Sequence, residues 1–152
     1  MLLSIAGNFF GDESAAQTVQ FAGSSVALAT GAARACVSLA RGPHGRAAAG
    51  FGILVVAEGL LWTGGAAGPG SHTALAAGEL FYAPALGLIA TTSWPPVWSR
   101  VAGGAAALSF GLHALLFEAA AHPSDTLSDA GFVLLAVTVA GWIVGERRPL
   151  RT

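Results

Sequence analysis

The chain has 152 residues, 54% of them hydrophobic and only 10% charged, with a formal net charge of −1. A soluble protein of this length needs more polar surface than that to cover its exterior, so a water-soluble domain is excluded as the leading reading. The basic groups stand at separate helix ends rather than along one face, which excludes a nucleic-acid-binding surface.

The start, Met1-Leu2-Leu3-Ser4-Ile5, lacks a basic segment and soon meets Asn8, Asp12 and Glu13, so it does not read as a cleaved signal peptide. Leu2–Phe10 is apolar but too short to span, and is expected to lie on the outer surface. A first helix is predicted from about Ser14 to Leu39, with Asp12, Glu13 and Ser14 as an acidic, cap-competent start and Gly42-Pro43 as its stop. The second runs from about Arg46 to Gly64, before the turn segment Gly64–Gly70. The third covers about Ser71 to Thr92, with Ser71 as its cap and Pro84 inside it. The fourth follows Pro95-Pro96, from about Val97 to Ala121, and stops at His122-Pro123. The fifth runs from about Thr126 to Val144. Each stretch has the roughly 17 to 25 residues that cross a bilayer. The fold class is therefore all-α: a single-domain integral membrane bundle of five transmembrane helices, covering residues 1–152.

Orientation follows from charge. The chain has no lysine, and its seven arginines fall on alternate junctions: Arg34, Arg41 and Arg46, then Arg100, then Arg147, Arg148 and Arg151. The positive-inside rule then places the N-terminus outside and the C-terminus in the cytoplasm, as in a bacterial-type inner-membrane protein. Trp94, Trp98 and Trp142 fall at inner ends and Trp62 at an outer end, where indole rings favour the interface. Gly23, Ala27 and Gly31 on the first helix, and Gly103, Gly104 and Gly111 on the fourth, have spacings that allow close helix packing in lipid.

Depth locates the candidate chemistry. At about 1.5 Å of rise per residue, Gln20, Glu58, Glu79 and His113, from four different helices, come out roughly 9 to 12 Å below the outer surface. A carboxylate within a span costs around 2.5 to 3.5 kcal/mol on insertion scales, so these groups are expected to face the interior, pair, or hold a proton. Glu79 and Tyr82 are three apart and share a helix face; Glu58 and Trp62 are four apart, placing an aromatic above the acid. Glu13, Gln17, Gln20 and Ser24 form a polar line on the first helix. Phe110 and Phe117 flank His113, while Glu118, five residues on, is turned about 140° away and sits nearer the interface.

The expected roles are catalytic for Glu58, Glu79 and His113, and binding for Gln20, Trp62, Tyr82, Phe110, Phe117 and Glu118. No helix carries an HxxxH or ExxH pair, the lone Cys36 excludes a multi-cysteine site, and no glycine-rich phosphate or dinucleotide motif occurs. No metal and no cofactor is expected. The leading expectation is an outer-half polar pocket for a lipophilic small molecule, used for acid–base isomerisation or cyclisation. One buried carboxylic acid would give a proton while a second carboxylate or His113 accepts one. Two other classes fit the same residues. One is an accessory subunit whose acids pair with a partner membrane subunit or within a homo-oligomer. The other is a proton-coupled transport component.

Overall fold

The computed structural model describes residues 15–66, 72–119 and 126–146, with side chains described for 22–63, 76–117 and 126–145. It is all-helical: α1 Ala15–Ala40, α2 Gly45–Ala66, α3 His72–Ala90, α4 Val97–Ala119 and α5 Thr126–Glu146. The described helices agree with the expected bounds to within about two residues, and the ends that lie inside the described residues, at Ala40, Gly45, Ala90 and Val97, fall beside Gly42-Pro43 and Pro95-Pro96. His44 and Pro96 supply the carbonyls that accept the first amides of α2 and α4, from Ala48 at 3.0 Å and Arg100 at 3.0 Å. The Arg100 Nε donates to the Ala90 carbonyl at 2.9 Å, placing a cation at the negative end of α3. Leu2–Phe10, His122-Pro123, Arg147, Arg148 and Arg151 lie outside the described residues.

Among the described residues three helices are long and apolar enough to cross a membrane: Gly45–Thr63, Val97–Phe117 and Thr126–Gly145, with Ala76–Ala90 a shorter apolar stretch. Large apolar side chains lie exposed on all five helices, among them Val26, Val56, Phe81, Val101, Leu108, Leu115, Val133 and Ile143. That outer surface suits lipid and not water. Two exposed hydroxyls are satisfied by nearby carbonyls: Thr63 donates to those of Gly59 and Leu60, and Thr91, just past the end of α3, to that of Leu88.

Each helix packs chiefly against its neighbours in sequence, so the chain winds up and down with α1 held mainly by α2. The core is narrow and centres on Leu54, Ala57, Tyr82, Ala85, Leu86, Ile89, Ala106, Phe110 and Leu135. Close approach is not made by the glycines whose spacing suggested it. A Cβ at Gly23, Gly31 or Gly104 would meet nothing within 4 Å, and one at Gly111 only the Ala83 methyl at 3.4 Å. Of that set Gly103 alone is crowded, at 3.2 Å from Thr138. Among the described glycines Gly141 is the most crowded, with a Cβ there 2.2 Å from the Ser99 Cβ, and Gly50 meets backbone directly, with a Cβ 2.7 Å from the Ala85 carbonyl oxygen.

Trp142 is not an interfacial ring. It is 7% exposed and packs edge-on against Phe51, with centroids 4.8 Å apart, while Phe51 also meets Trp94 at 6.0 Å. Trp62 and Trp98, at 48% and 46% exposure, keep surface positions.

The helix ends on the side away from Arg100 do not share one plane. Ser109 donates to the Leu127 carbonyl at 2.6 Å and Ser99 to the Thr138 carbonyl at 2.9 Å. The first turn of α5 therefore lies level with Ser109, and α4 continues about 15 Å beyond that point to Ala119. α5 is thus shifted towards the end of the bundle that carries Arg100, and its N-terminus opens beside the buried polar residues.

Candidate functional site

Glu79 and His113 meet directly. Glu79 Oε2 pairs with His113 Nδ1, and Glu79 Oε1 accepts a hydrogen bond from Ser128 Oγ at 2.6 Å. Three helices, α3, α4 and α5, thus supply one carboxylate–imidazole–hydroxyl cluster, with Glu79 6% and His113 7% exposed. The displacement of α5 makes this possible, since it brings the first turn of that helix down to Glu79. The positive end of the α5 dipole then faces the carboxylate. Gly131, one turn below Ser128, permits the approach: a Cβ there would lie 2.8 Å from the Phe110 ring.

Glu58 has different partners. Tyr82 Oη donates to Glu58 Oε1, and Ser25 of α1 hydrogen-bonds to the same carboxyl group. Glu58 is 4% exposed and Tyr82 fully buried. Tyr82 stands one turn along α3 from Glu79, so the two pairs are neighbours on a single helix face. Gly78 lets α2 close against α3 beside them, because a Cβ there would lie 2.7 Å from the Leu61 side chain. All five helices contribute a polar side chain to this layer: Ser25, Glu58, Glu79 and Tyr82, His113 and Ser128.

Aromatic rings adjoin the polar layer. Tyr82 and Phe110 lie 4.9 Å apart at 32°, Phe110 and Phe132 5.0 Å apart at 78°, and Tyr82 and Phe132 6.3 Å apart at 74°. Phe117 flanks His113 at 6.2 Å. On the Arg100 side of the layer, Leu54, Leu86, Ile89 and Leu135 are at most 1% exposed. They form an apolar plug, one to three turns thick, beneath the ionisable groups. No family model, curated protein or solved structure matches the chain. The site is therefore read from its own geometry.

One atom in that geometry is out of balance. His113 Nε2 is buried and has no hydrogen-bond partner among the described residues. A buried polar nitrogen left unpaired costs about 1 to 3 kcal/mol. Its other nitrogen is fixed by Glu79, so the ring is held in one orientation with Nε2 presented away from the carboxylate. A carboxylate that orients an imidazole, whose far nitrogen then meets a reacting group, is a general acid–base arrangement. Among the described residues no three His, Cys, Asp or Glu side chains gather to hold a metal ion.

Of the residues singled out from sequence, Glu79 with His113 and Glu58 with Tyr82 are brought together as pairs, with Phe110 and Phe117 beside them. Trp62 stands on the exposed surface one turn from Glu58. Gln20 and Glu118 lie on described helices, but their side chains are outside the described set. Ser25 and Ser128 were missed. Ser25 is one residue, or about 100°, from the polar line drawn through Ser24. Ser128 lies in the first turn of its helix, so a depth count from the helix end places it above the layer; only the shift of α5 brings it to Glu79.

Proposed function

We propose that the chain is a five-span membrane protein, with its N-terminus outside and its C-terminus in the cytoplasm, that moves a proton on a lipophilic molecule in the outer half of a bacterial inner membrane. The observation that carries this reading is the unpartnered His113 Nε2, backed by Glu79 on its other side and adjoining Tyr82 and Phe110. In this reading His113 Nε2 takes a proton from the substrate and returns it at a second position. Glu79 stabilises the imidazolium that forms between the two steps. Ser128 fixes the carboxylate, and Phe117, part-exposed beside His113, provides apolar surface for the ligand. The reaction class is an isomerisation or an acid–base cyclisation, since neither needs a redox group or a nucleophile.

The apolar plug argues for chemistry entered from one side rather than for a proton path across the membrane. A relay needs ionisable groups continuing inward; on the Arg100 side the buried residues are the apolar Leu54, Leu86, Ile89 and Leu135 and the hydroxyls of Ser99 and Thr138, which are tied to backbone carbonyls.

Two measurements test the proposal. The orientation predicts that a C-terminal reporter active only in the cytoplasm works and one active only after export does not; the reverse pattern refutes it. Native mass spectrometry of the detergent-purified protein is expected to retain a lipophilic small molecule that the His113→Ala variant loses. Retention of the same molecule by folded variant and parent alike assigns the ligand elsewhere and removes the site reading.

A further inference from the structure

We infer that the molecule taken by this site is a lipid-soluble carbonyl compound with an acidic C–H next to the carbonyl, and that Tyr82, backed by Glu58, is the donor that holds its oxygen. The inference rests on the proton-transfer reading and narrows it to one chemical class.

Three observations lead there. The first concerns base strength. Imidazoles and carboxylates as classes accept protons in the weakly acidic to neutral range, far below what an unactivated C–H or a simple alkene demands. A carbon acid within their reach needs an adjacent carbonyl to take up the electron pair. The second is the pairing of Tyr82 with Glu58. A phenol hydrogen-bonded to a carboxyl, both within a water-poor interior, is a donor set suited to an oxygen on which negative charge develops. Tyr82 is fully buried and Glu58 is 4% exposed, so neither is a surface group that happens to touch the other. The third is the surroundings. The rings of Tyr82, Phe110 and Phe132 pack against one another with centroid spacings of 4.9 to 6.3 Å, next to the helix turn that carries His113, and Tyr82 and Phe110 are fully buried. That dry surround strengthens the hydrogen bond that the Tyr82 hydroxyl gives to an oxygen gaining negative charge.

The step balances without a co-reactant. His113 Nε2 removes the proton next to the carbonyl, and the C–H electron pair becomes the new C=C bond as the C=O pair moves to oxygen. In the reactive form Glu58 carries the proton between itself and Tyr82 and donates it to the phenol oxygen. The Tyr82 hydrogen is then free for the enolate oxygen. The imidazolium returns its proton, to the same carbon in exchange or to a conjugated one in isomerisation, and every group regains its starting state. Glu79 holds the imidazolium throughout, from the Nδ1 side.

The test uses 1-tetralone, a planar lipophilic ketone, with the full-length protein in detergent and D2O. Deuterium entering next to the carbonyl is followed by mass spectrometry. The parent protein is expected to accelerate the uptake, His113→Ala to abolish the acceleration, and Tyr82→Phe to reduce it on the order of 10²-fold, the usual effect of losing one oxyanion donor. Glu58→Gln, which keeps a hydrogen-bonding group against Tyr82, is expected to reduce it without loss of fold and covers the case in which Tyr82→Phe does not fold. In parallel, 2-naphthol, a planar phenol that mimics the enolate, is expected to bind the parent at least about 10-fold more tightly than Tyr82→Phe. Equal uptake by parent and folded Tyr82→Phe and Glu58→Gln proteins overturns the role of Tyr82. If neither probe responds while a His113-dependent lipophile is still found on the purified protein, the carbonyl class is wrong and the proton-transfer reading stands. If neither probe responds and no such lipophile is bound, both fall together.

Discussion

Gly50→Val is expected to destabilise the fold strongly. The obstacle is backbone: a Cβ at Gly50 would lie 2.7 Å from the Ala85 carbonyl oxygen and 3.3 Å from the Ile89 amide, with the Ile89 side chain also at 2.7 Å. No rotamer change moves a carbonyl, so α2 and α3 must separate along the seam that forms most of the core. Overpacking of a tight site costs about 1 to 3 kcal/mol even where side chains can yield, and here the upper end or beyond is expected. Gly50→Ala meets the same oxygen and should follow in the same direction with a smaller loss. The control is Gly59→Ala on the same helix, where nothing lies within 4 Å. It should be neutral or gain up to about 1 kcal/mol from helix propensity. Thermal unfolding in detergent, read by tryptophan fluorescence, separates the two. Equal melting temperatures for the Gly50 and Gly59 variants would mean that α2 and α3 do not approach as described.

The same pair of glycines explains what could be read from the sequence and what could not. The helix ends at Gly42-Pro43 and Pro95-Pro96 were legible because these breakers act through local backbone chemistry that needs no tertiary partner. Which ionisable groups face inward was also legible, since lipid makes the alternative costly. Rotation and axial offset were not. Gly23, Ala27 and Gly31 carry the spacing of a packing seam, yet that face of α1 is exposed, whereas close approaches are made at Gly50, Gly78 and Gly131, which show no such pair, and at Gly141, which pairs with Gly145. A spacing rule says that two backbones can come near, and leaves open whether any helix is there.

The partners of the two glutamates illustrate the same limit. Counting residues from helix ends assumes a common outer plane, and α4 and α5 break that assumption by about 15 Å. The count therefore found Glu58, Glu79 and His113, each six to eight residues from the near end of its described helix, and missed Ser128, whose helix begins at the depth of the site. Trp142 was misassigned for a related reason. It lies near the end of a helix whose last turns reach past the start of α4, so the ring is covered by Phe51 and not left at an interface.

Removing Glu79 should have the largest effect of any change at the site, and the form of the replacement decides which property is lost. Glu79→Ala leaves His113 Nδ1 and Ser128 Oγ facing an apolar gap, and breaking a buried pair in this way costs about 3 to 5 kcal/mol. Glu79→Gln keeps a group of the same shape with an acceptor oxygen for one of the two partners, so the fold should survive with a smaller loss. The amide cannot stabilise an imidazolium as the carboxylate does, and proton-transfer activity should fall by about 10²- to 10⁴-fold. A double-mutant cycle joins the two results. With His113→Ala in the background, Glu79→Ala no longer strands a buried imidazole, so the double variant should be more stable than the sum of its parts by about 0.5 to 3 kcal/mol. Simple additivity in unfolding free energy would show that Glu79 and His113 are independent in the folded protein. The orienting role of Glu79 would go with it, and His113 Nε2 would lose the support that makes it the reacting nitrogen.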